Sequence, residues 1–199
     1  PERRPSNSCP PLPVVAQEYR GVRCLQDVDS VHGFMERVLD TAALLHWPPD
    51  RLHDGVCAPS QRVELERLSP ARAMLVEAVN IDWRPVSKAA MEQAVAAATA
   101  SGDLPRLSDV DLDVLALALE ANAVLYTDDY RMQNTHKLAG GTVEAVVNAA
   151  SKHVWIWEQR CTGCGAVSAV DGEVKRSKHD VVGECRVCGS ALKVKRRRG

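Results

Sequence analysis

The sequence predicts an α/β domain with a central parallel sheet covered by helices on both faces, followed by a small cysteine-rich module. Short apolar runs alternate with helical patterns up to about residue 147, as expected for parallel strands joined by helices. The charge then changes, because residues 1–150 contain 14 basic and 21 acidic residues, whereas residues 151–199 contain 11 and 5. This split predicts an acidic module suited to metal ions and a basic module suited to phosphates.

The apolar and helical patterns predict the elements of the first module in chain order. Strands are expected at 37–39, 55–59, 81–86, 123–126 and 142–147, and helices at 41–45, 60–68, 71–79, 88–100, 107–122 and 130–138. Ser87 precedes the Ala-rich helix as a cap, and Gly140 and Gly141 end the last helix. The alternation of the two patterns favours a parallel sheet over an antiparallel one.

Changes in composition and in turn-forming residues divide the chain into five parts. Residues 1–33 are an unassigned leader whose first 13 residues include five prolines. The elements above fill residues 34–147, a linker covers 148–154, the cysteine module covers 155–193, and a basic tail covers 194–199. A hydrophobic fraction of 45% supports a packed core. Without an apolar run of about 18 residues or a signal peptide, we expect a cytoplasmic protein with no membrane partner.

Four of the seven cysteines form two Cys-x-x-Cys pairs separated by 20 residues. Two cysteines three positions apart reach one ion from a tight turn, and Gly163, Gly165 and Gly189 permit such turns. Four thiolates complete a tetrahedral zinc shell with no open position, so the zinc is structural. The less favoured alternative is a pair of redox motifs. The predicted zinc ligands are Cys161, Cys164, Cys185 and Cys188.

The second module is also rich in positive charge, which predicts contacts with RNA phosphates. Trp155 and Trp157 can stack on unpaired bases, although core packing of the two rings is an equal alternative. A solvated tail is the alternative for the terminal basic run. The candidate RNA-binding residues are Lys175, Arg176, Lys178, Lys193, Lys195, Arg196, Arg197 and Arg198.

Carboxylates follow two of the predicted strands, where parallel sheets form their ligand crevice. Asp40 ends the first strand, and the fourth ends in Asp128 and Asp129. Asp111 faces inward at a helix start, whereas Asp109 and Asp113 are expected to point away. A helix cap is the alternative at 127–129, and a capping box with Ser108 is the alternative for Asp111. For Glu64 the alternative is a solvated helix position.

Several carboxylates in one crevice repel one another and stay ionised together only when cations neutralise them. Oxygen ligands suit Mg²⁺ or Mn²⁺, and such ions activate water and stabilise charge on a phosphate under attack. The acids therefore predict a divalent-metal site that can act on a phosphate.

The acidic segments resemble the motifs of PIN-domain nucleases, in order: Leu39-Asp40-Thr41-Ala42, Val63-Glu64-Leu65, Leu107-Ser108-x-x-Asp111-x-Asp113-Val114, and Val124 to Asp129. The stretch from Thr127 to Asn134 is similar to the Nob subfamily, which matures the 3′ end of small-subunit ribosomal RNA and carries a C-terminal zinc ribbon. The resemblance implies a three-layer α/β/α fold and work on small-subunit pre-rRNA in the pre-ribosomal small subunit. It implies catalytic acids at Asp40, Glu64, Asp111 and Asp129, with Asp128 as a possible additional acid.

Two other functions remain as alternatives. A toxin-like PIN ribonuclease would use the same chemistry, but such toxins usually lack a zinc ribbon. A non-catalytic RNA- or ribosome-binding adaptor would not require acids at all four motif positions.

Overall fold

The computed structural model describes residues 35–170 and 181–199, and five short parallel strands form the sheet of its first part. The strands are β1 (Arg37–Leu39), β2 (Val56–Cys57), β3 (Asp82–Trp83), β4 (Val124–Tyr126) and β5 (Val143–Glu144). Their spatial order is β3-β2-β1-β4-β5, with every neighbouring pair parallel. The chain builds outward from β1 to one side and then from β4 to the other. The strand order reverses between β1 and β4, which is where open α/β sheets form a ligand crevice at the carboxyl ends of their strands, and we call this place the β1–β4 crevice.

The helices between these strands agree with the predicted pattern, with two additions, a short helix at Pro49–Leu52 and a 3-10 turn at Leu104–Arg106. The α-helices are α1 (Thr41–His46), α2 (Pro49–Leu52), α3 (Ser60–Leu68), α4 (Pro70–Glu77), α5 (Lys88–Ser101), α6 (Asp109–Glu120) and α7 (Tyr130–Leu138). The single turn α2 was not predicted, because four residues are too few to show a helical period. Ser87 caps α5 as predicted, accepting a hydrogen bond from the backbone N–H of Ala90.

Consecutive strand residues serve two separate cores, which confirms the three-layer α/β/α arrangement. Val38 lies in a core with Ala94 of α5 and Leu115 of α6, whereas Leu39 lies in a second core with Leu44 of α1 and Leu65 of α3. The central strands β1, β2 and β4 are covered on both faces and have no polar alternation, which explains why their sequences are short and largely apolar.

The last part of the chain forms an antiparallel sheet of β6 (Trp155–Cys161), β7 (Val167–Ala169), β8 (Val181–Glu184) and β9 (Ala191–Arg198), in the order β7-β6-β9-β8. Strand β9 pairs with β6 from Leu192 opposite Cys161 to Arg198 opposite Trp155. The prediction of a basic tail at 194–199 is therefore wrong through Arg198, because main-chain hydrogen bonds to β6 fix these residues in a strand. Within both described ranges, no helix has the length and apolarity to cross a membrane.

Candidate active site and cysteine cluster

The β1–β4 crevice receives two of the predicted acids directly from strand ends. Asp40 follows β1, and its N–H donates to the carbonyl of Tyr126 at 3.0 Å. Its carboxylate caps α1 by accepting from the N–H of Thr41 at 2.6 Å. Asp129 follows β4 and caps α7 by accepting from the N–H of Arg131 at 2.7 Å. The two caps therefore place two carboxylates at one edge of the sheet.

Thr127 connects these two acids. Its buried hydroxyl donates to Oδ2 of Asp40 at 2.5 Å and accepts from the N–H of Asp129 at 3.0 Å. The threonine thereby fixes the side chain of one acid and the backbone of the other. Its role was not predicted, although its position between an apolar strand and an acid pair is the sequence signal for it.

Glu64 reaches the same edge from α3. The hydroxyl of Thr41 donates to Oε2 of Glu64 at 2.7 Å. Gln61, one turn earlier and fully buried, donates to the carbonyl of Leu39 at 2.9 Å and accepts from the N–H of Ala58 at 2.8 Å. These bonds fix α3 against the end of β1, so Glu64 is not a freely solvated helix residue. Gln61 was not predicted, because a lone glutamine in an amphipathic helix has no distinctive spacing.

Asp111 has two roles at the start of α6. It forms the capping box with Ser108, accepting from the Ser108 N–H through Oδ2 at 2.7 Å while its own N–H donates to the Ser108 hydroxyl at 3.2 Å. Burial raises the pKa of this carboxyl, and the negative charges of Asp129 and Glu64 raise it further. The capping-box alternative is therefore correct, but the same carboxylate also lies in the electrostatic field of the other acids.

The pKa of Asp40 is determined mainly by its burial. Burial raises its pKa to about 7, and the negative charges of Asp111 and Asp129 act in the same direction. Hydrogen bonds from Thr127 and Thr41 oppose the shift because they favour the carboxylate. A buried acid among acids is costly to ionise alone, and a cation bound to the cluster removes that cost.

The structure separates Asp128 from this cluster. Its carboxylate accepts from the backbone N–H groups of Val146, Val147 and Asn148 at 2.9, 3.1 and 3.2 Å, so it holds the loop that follows β5. Asp113, which was expected to point away, accepts instead from the hydroxyl of Ser60 at 2.6 Å. It joins α6 to the start of α3, because the contact between the two helices turns its face inward.

The four predicted cysteines form one cluster in which all four Sγ atoms lie within 4.8 Å of one another. Backbone N–H groups of Gly163 and Cys164 point at Sγ of Cys161, at 3.3 and 3.4 Å, and Val187 N–H points at Sγ of Cys185, at 3.4 Å. Such donors stabilise thiolates, and four sulfur donors at this spacing fit a closed tetrahedral site for a structural ion.

The basic residues of β9 divide between the two faces of its sheet. Lys193, Lys195 and Arg197 alternate along one face, with Arg197 3.2 Å from Glu158. On the other face, the Arg196 guanidinium lies 4.5 Å from the ring centre of Trp155. The Arg106 guanidinium lies 5.0 Å from the ring centre of Trp157, and both rings are half-buried. Both tryptophan rings therefore pack against arginine side chains of the protein itself. Lys175, Arg176 and Lys178 lie outside the described residues.

Comparison with known proteins finds nucleases among the relatives of this chain. Endoribonuclease Nob1 of Methanothermobacter thermautotrophicus is 30% identical over 177 residues, covering 83% of this chain and 95% of that protein. Endoribonuclease Nob1 of Pyrococcus abyssi is 30% identical over 171 residues, covering 82% and 96%. Ribonuclease VapC1 of Thermoplasma acidophilum is 39% identical over 97 residues, covering 48% and 44%. No family model matches the chain.

Proposed function

Since the chain belongs to the Nob1 family of endoribonucleases, we propose that it is a metal-dependent enzyme that cleaves the 3′ end of the small-subunit ribosomal RNA precursor. The observation that carries the proposal is the convergence of acids from separate elements at the β1–β4 crevice. Asp40 and Asp129 share Thr127, Thr41 joins Glu64 to the Asp40 turn, and Asp111 lies in the field of the other acids.

We assign the binding of Mg²⁺ or Mn²⁺ to Asp40, Glu64, Asp111 and Asp129, because an oxygen-only donor set suits these ions. Bound there, the ions would supply a Lewis acid for the scissile phosphate and an attacking water of lowered pKa. The protein's own residues prepare the site. Thr127 and Thr41 hold carboxylate oxygens in place, and burial disfavours the ionised form of Asp40 unless positive charge is near. We do not assign Asp128 to the metal site, because its carboxylate binds the loop after β5.

We assign a structural zinc ion to Cys161, Cys164, Cys185 and Cys188, and RNA contacts to the module that this ion stabilises. The β9 face with Lys193, Lys195 and Arg197 presents alternating positive charges that suit a phosphate backbone. The proposed partners are small-subunit pre-rRNA and the pre-ribosomal small subunit that contains it. The proposed location is the cytoplasm, where reducing conditions keep zinc thiolates intact.

The deciding experiment incubates the purified protein with an RNA that spans the 3′ end of small-subunit rRNA and its downstream precursor. We expect one mapped cut that requires Mn²⁺ or Mg²⁺ and is lost with EDTA. Binding without cleavage in either metal would reject the proposal and favour the adaptor. Cleavage at many unrelated RNA sites would favour the toxin-like ribonuclease instead.

A further inference from the structure

Helix α7 joins the acidic crevice to the cysteine module. Its N-cap is Asp129, and one of its faces holds the chain segment that leads into β6. Two amide side chains on that face, Gln133 and Asn134, are 1% and 5% exposed. Burial of an amide is favourable only when its donors and acceptor are satisfied, so the partners of these two residues are informative.

Gln133 links the catalytic turn to the linker. Its Nε2 donates to the carbonyl of Thr127 at 2.9 Å, and its Oε1 accepts from the N–H of Ser151 at 2.7 Å. Lys137, one turn later, donates to the carbonyl of Ser151 at 2.6 Å. The segment expected to be a simple linker is therefore bound along α7.

Asn134 holds the first residue of β6 by both of its backbone groups. Its Oδ1 accepts from the N–H of Trp155 at 2.6 Å, and its Nδ2 donates to the carbonyl of Trp155 at 2.7 Å. The same Nδ2 donates to Oδ2 of the buried Asp103 at 2.6 Å. This pair of bonds imitates the pairing of a neighbouring strand, and it sets both the position and the direction of β6 where the strand begins.

A second contact, close by, fixes the same strand. Gly102 ends α5 with a φ of +75°, and a Cβ atom there would lie 2.6 Å from the carbonyl oxygen of Trp157. The Arg106 guanidinium covers the ring of that tryptophan. Because β6 is held at Trp155 and again at Trp157, its orientation is determined and not only its point of attachment.

We propose that Asn134 is a positioning residue, which sets the cysteine module at one angle to the acids so that RNA bound by the module presents a single phosphodiester to the crevice. The inference rests on the proposed function. A rigid connection raises the effective concentration of the bound RNA at the acids, and a misplacement of about 1 Å costs cleavage rate on the order of 100-fold.

The test compares Asn134→Ala with Asn80→Ala, an exposed asparagine that bonds only to Asp54 among the contacts found for its side chain in the described residues. Two RNAs are cleaved in single turnover at saturating protein: the long precursor, which reaches both modules, and a hexanucleotide spanning only the cut. We expect Asn134→Ala to cleave the long RNA at least about tenfold more slowly, with its Kd within about twofold, and to cleave the hexanucleotide at the wild-type rate. Asn80→Ala should match the wild type on both.

An equal loss on both RNAs would overturn the proposal, because it would mean that the substitution acts on the site through α7. Wild-type rates on both would also overturn it.

¹⁵N relaxation provides a readout independent of activity: the two modules of the wild type should tumble with one correlation time, and those of Asn134→Ala with two. If Asn134→Ala does not fold, Arg106→Ala is the second variant, because it removes the guanidinium that covers Trp157 of the same strand. It should also slow cleavage of the long RNA and not of the hexanucleotide, by a smaller factor. If the wild type cleaves neither RNA, the proposed function fails, while the relaxation data still decide whether Asn134 fixes the module.

Discussion

The acidic crevice and the cysteine cluster each bring together four candidate ligand side chains, but they assemble them over very different distances along the chain. The cysteines come as two local pairs on tight turns, and their sulfur atoms lie within 4.8 Å of one another. The acids come from positions 40, 64, 111 and 129, on four elements that meet only because β1 and β4 are neighbours in the sheet. A local site depends on its ion to order a small module, whereas a dispersed site depends on the complete core of the larger one.

The largest expected difference between the two sites is the loss of RNA cleavage when single acids of the crevice are substituted. Asp40→Asn and Asp111→Asn keep side-chain size and remove a charge, so precursor cleavage should fall by about 10³-fold or more. The melting temperature without metal should stay the same or rise, because repulsion among the acids is relieved. The matched control is Asp109→Asn, an exposed acid in the same helical turn, which should cleave at the wild-type rate. Wild-type cleavage by both site variants would show that the crevice is not the active site.

Loss of the ion proposed for the cysteine cluster should unfold one module and spare the other. The purified protein should contain about one zinc ion per chain, and Cys161→Ser should lower this content and broaden the NMR signals of residues in β6 to β9. Signals from the α/β domain should persist, since its two cores do not include the cysteine cluster. Zinc-free protein with an intact second sheet would contradict this expectation.

Neutralising the basic face of β9 should weaken RNA binding without touching either site. Changing Lys193, Lys195 and Arg197 to Gln removes three charges from one face, so the slope of log affinity against log salt should become shallower by roughly 2. Lys88→Gln, an exposed cation on α5, serves as the control and should leave the slope within error. An unchanged slope in the triple variant would place the RNA on another surface.

The smallest expected effect is a pH dependence that originates at Asp40. Its folded pKa of about 7 lies above the unfolded value, so its contribution to metal-free stability is fully present below about pH 4 and is lost as pH rises through 7. Metal binding requires the carboxylate, so Mn²⁺ affinity should rise up to about tenfold per pH unit below pH 7 and then level off. Urea unfolding between pH 5 and 8 measures the metal-free stability, and metal titration over the same range measures the Mn²⁺ affinity. Asp40→Asn should make the pH dependence of the stability smaller.

Several features of the fold were predictable because they are local. The helix caps at Asp40, Ser87, Ser108 and Asp129 each require only a short polar side chain before a helical pattern. Strands β2, β3 and β5 are shorter than predicted, since apolar residues next to a strand also pack in the core without joining the ladder. The contact of Asp113 with Ser60 was missed for a related reason: helical period predicts one buried face, but not a second helix packed against the other.

The sequence by itself determined the order of strands and helices, the cysteine set and the acids available at strand ends, because all of these follow from spacing within a few residues. Only the tertiary structure shows which neighbours Asp128 and Asp129 meet: the loop after β5 for Asp128, and the other acids of the crevice for Asp129. It also decided that β9 is a strand and that Asn134 holds β6. These outcomes depend on pairings between residues far apart in the chain, and such pairings leave no periodic trace in the sequence.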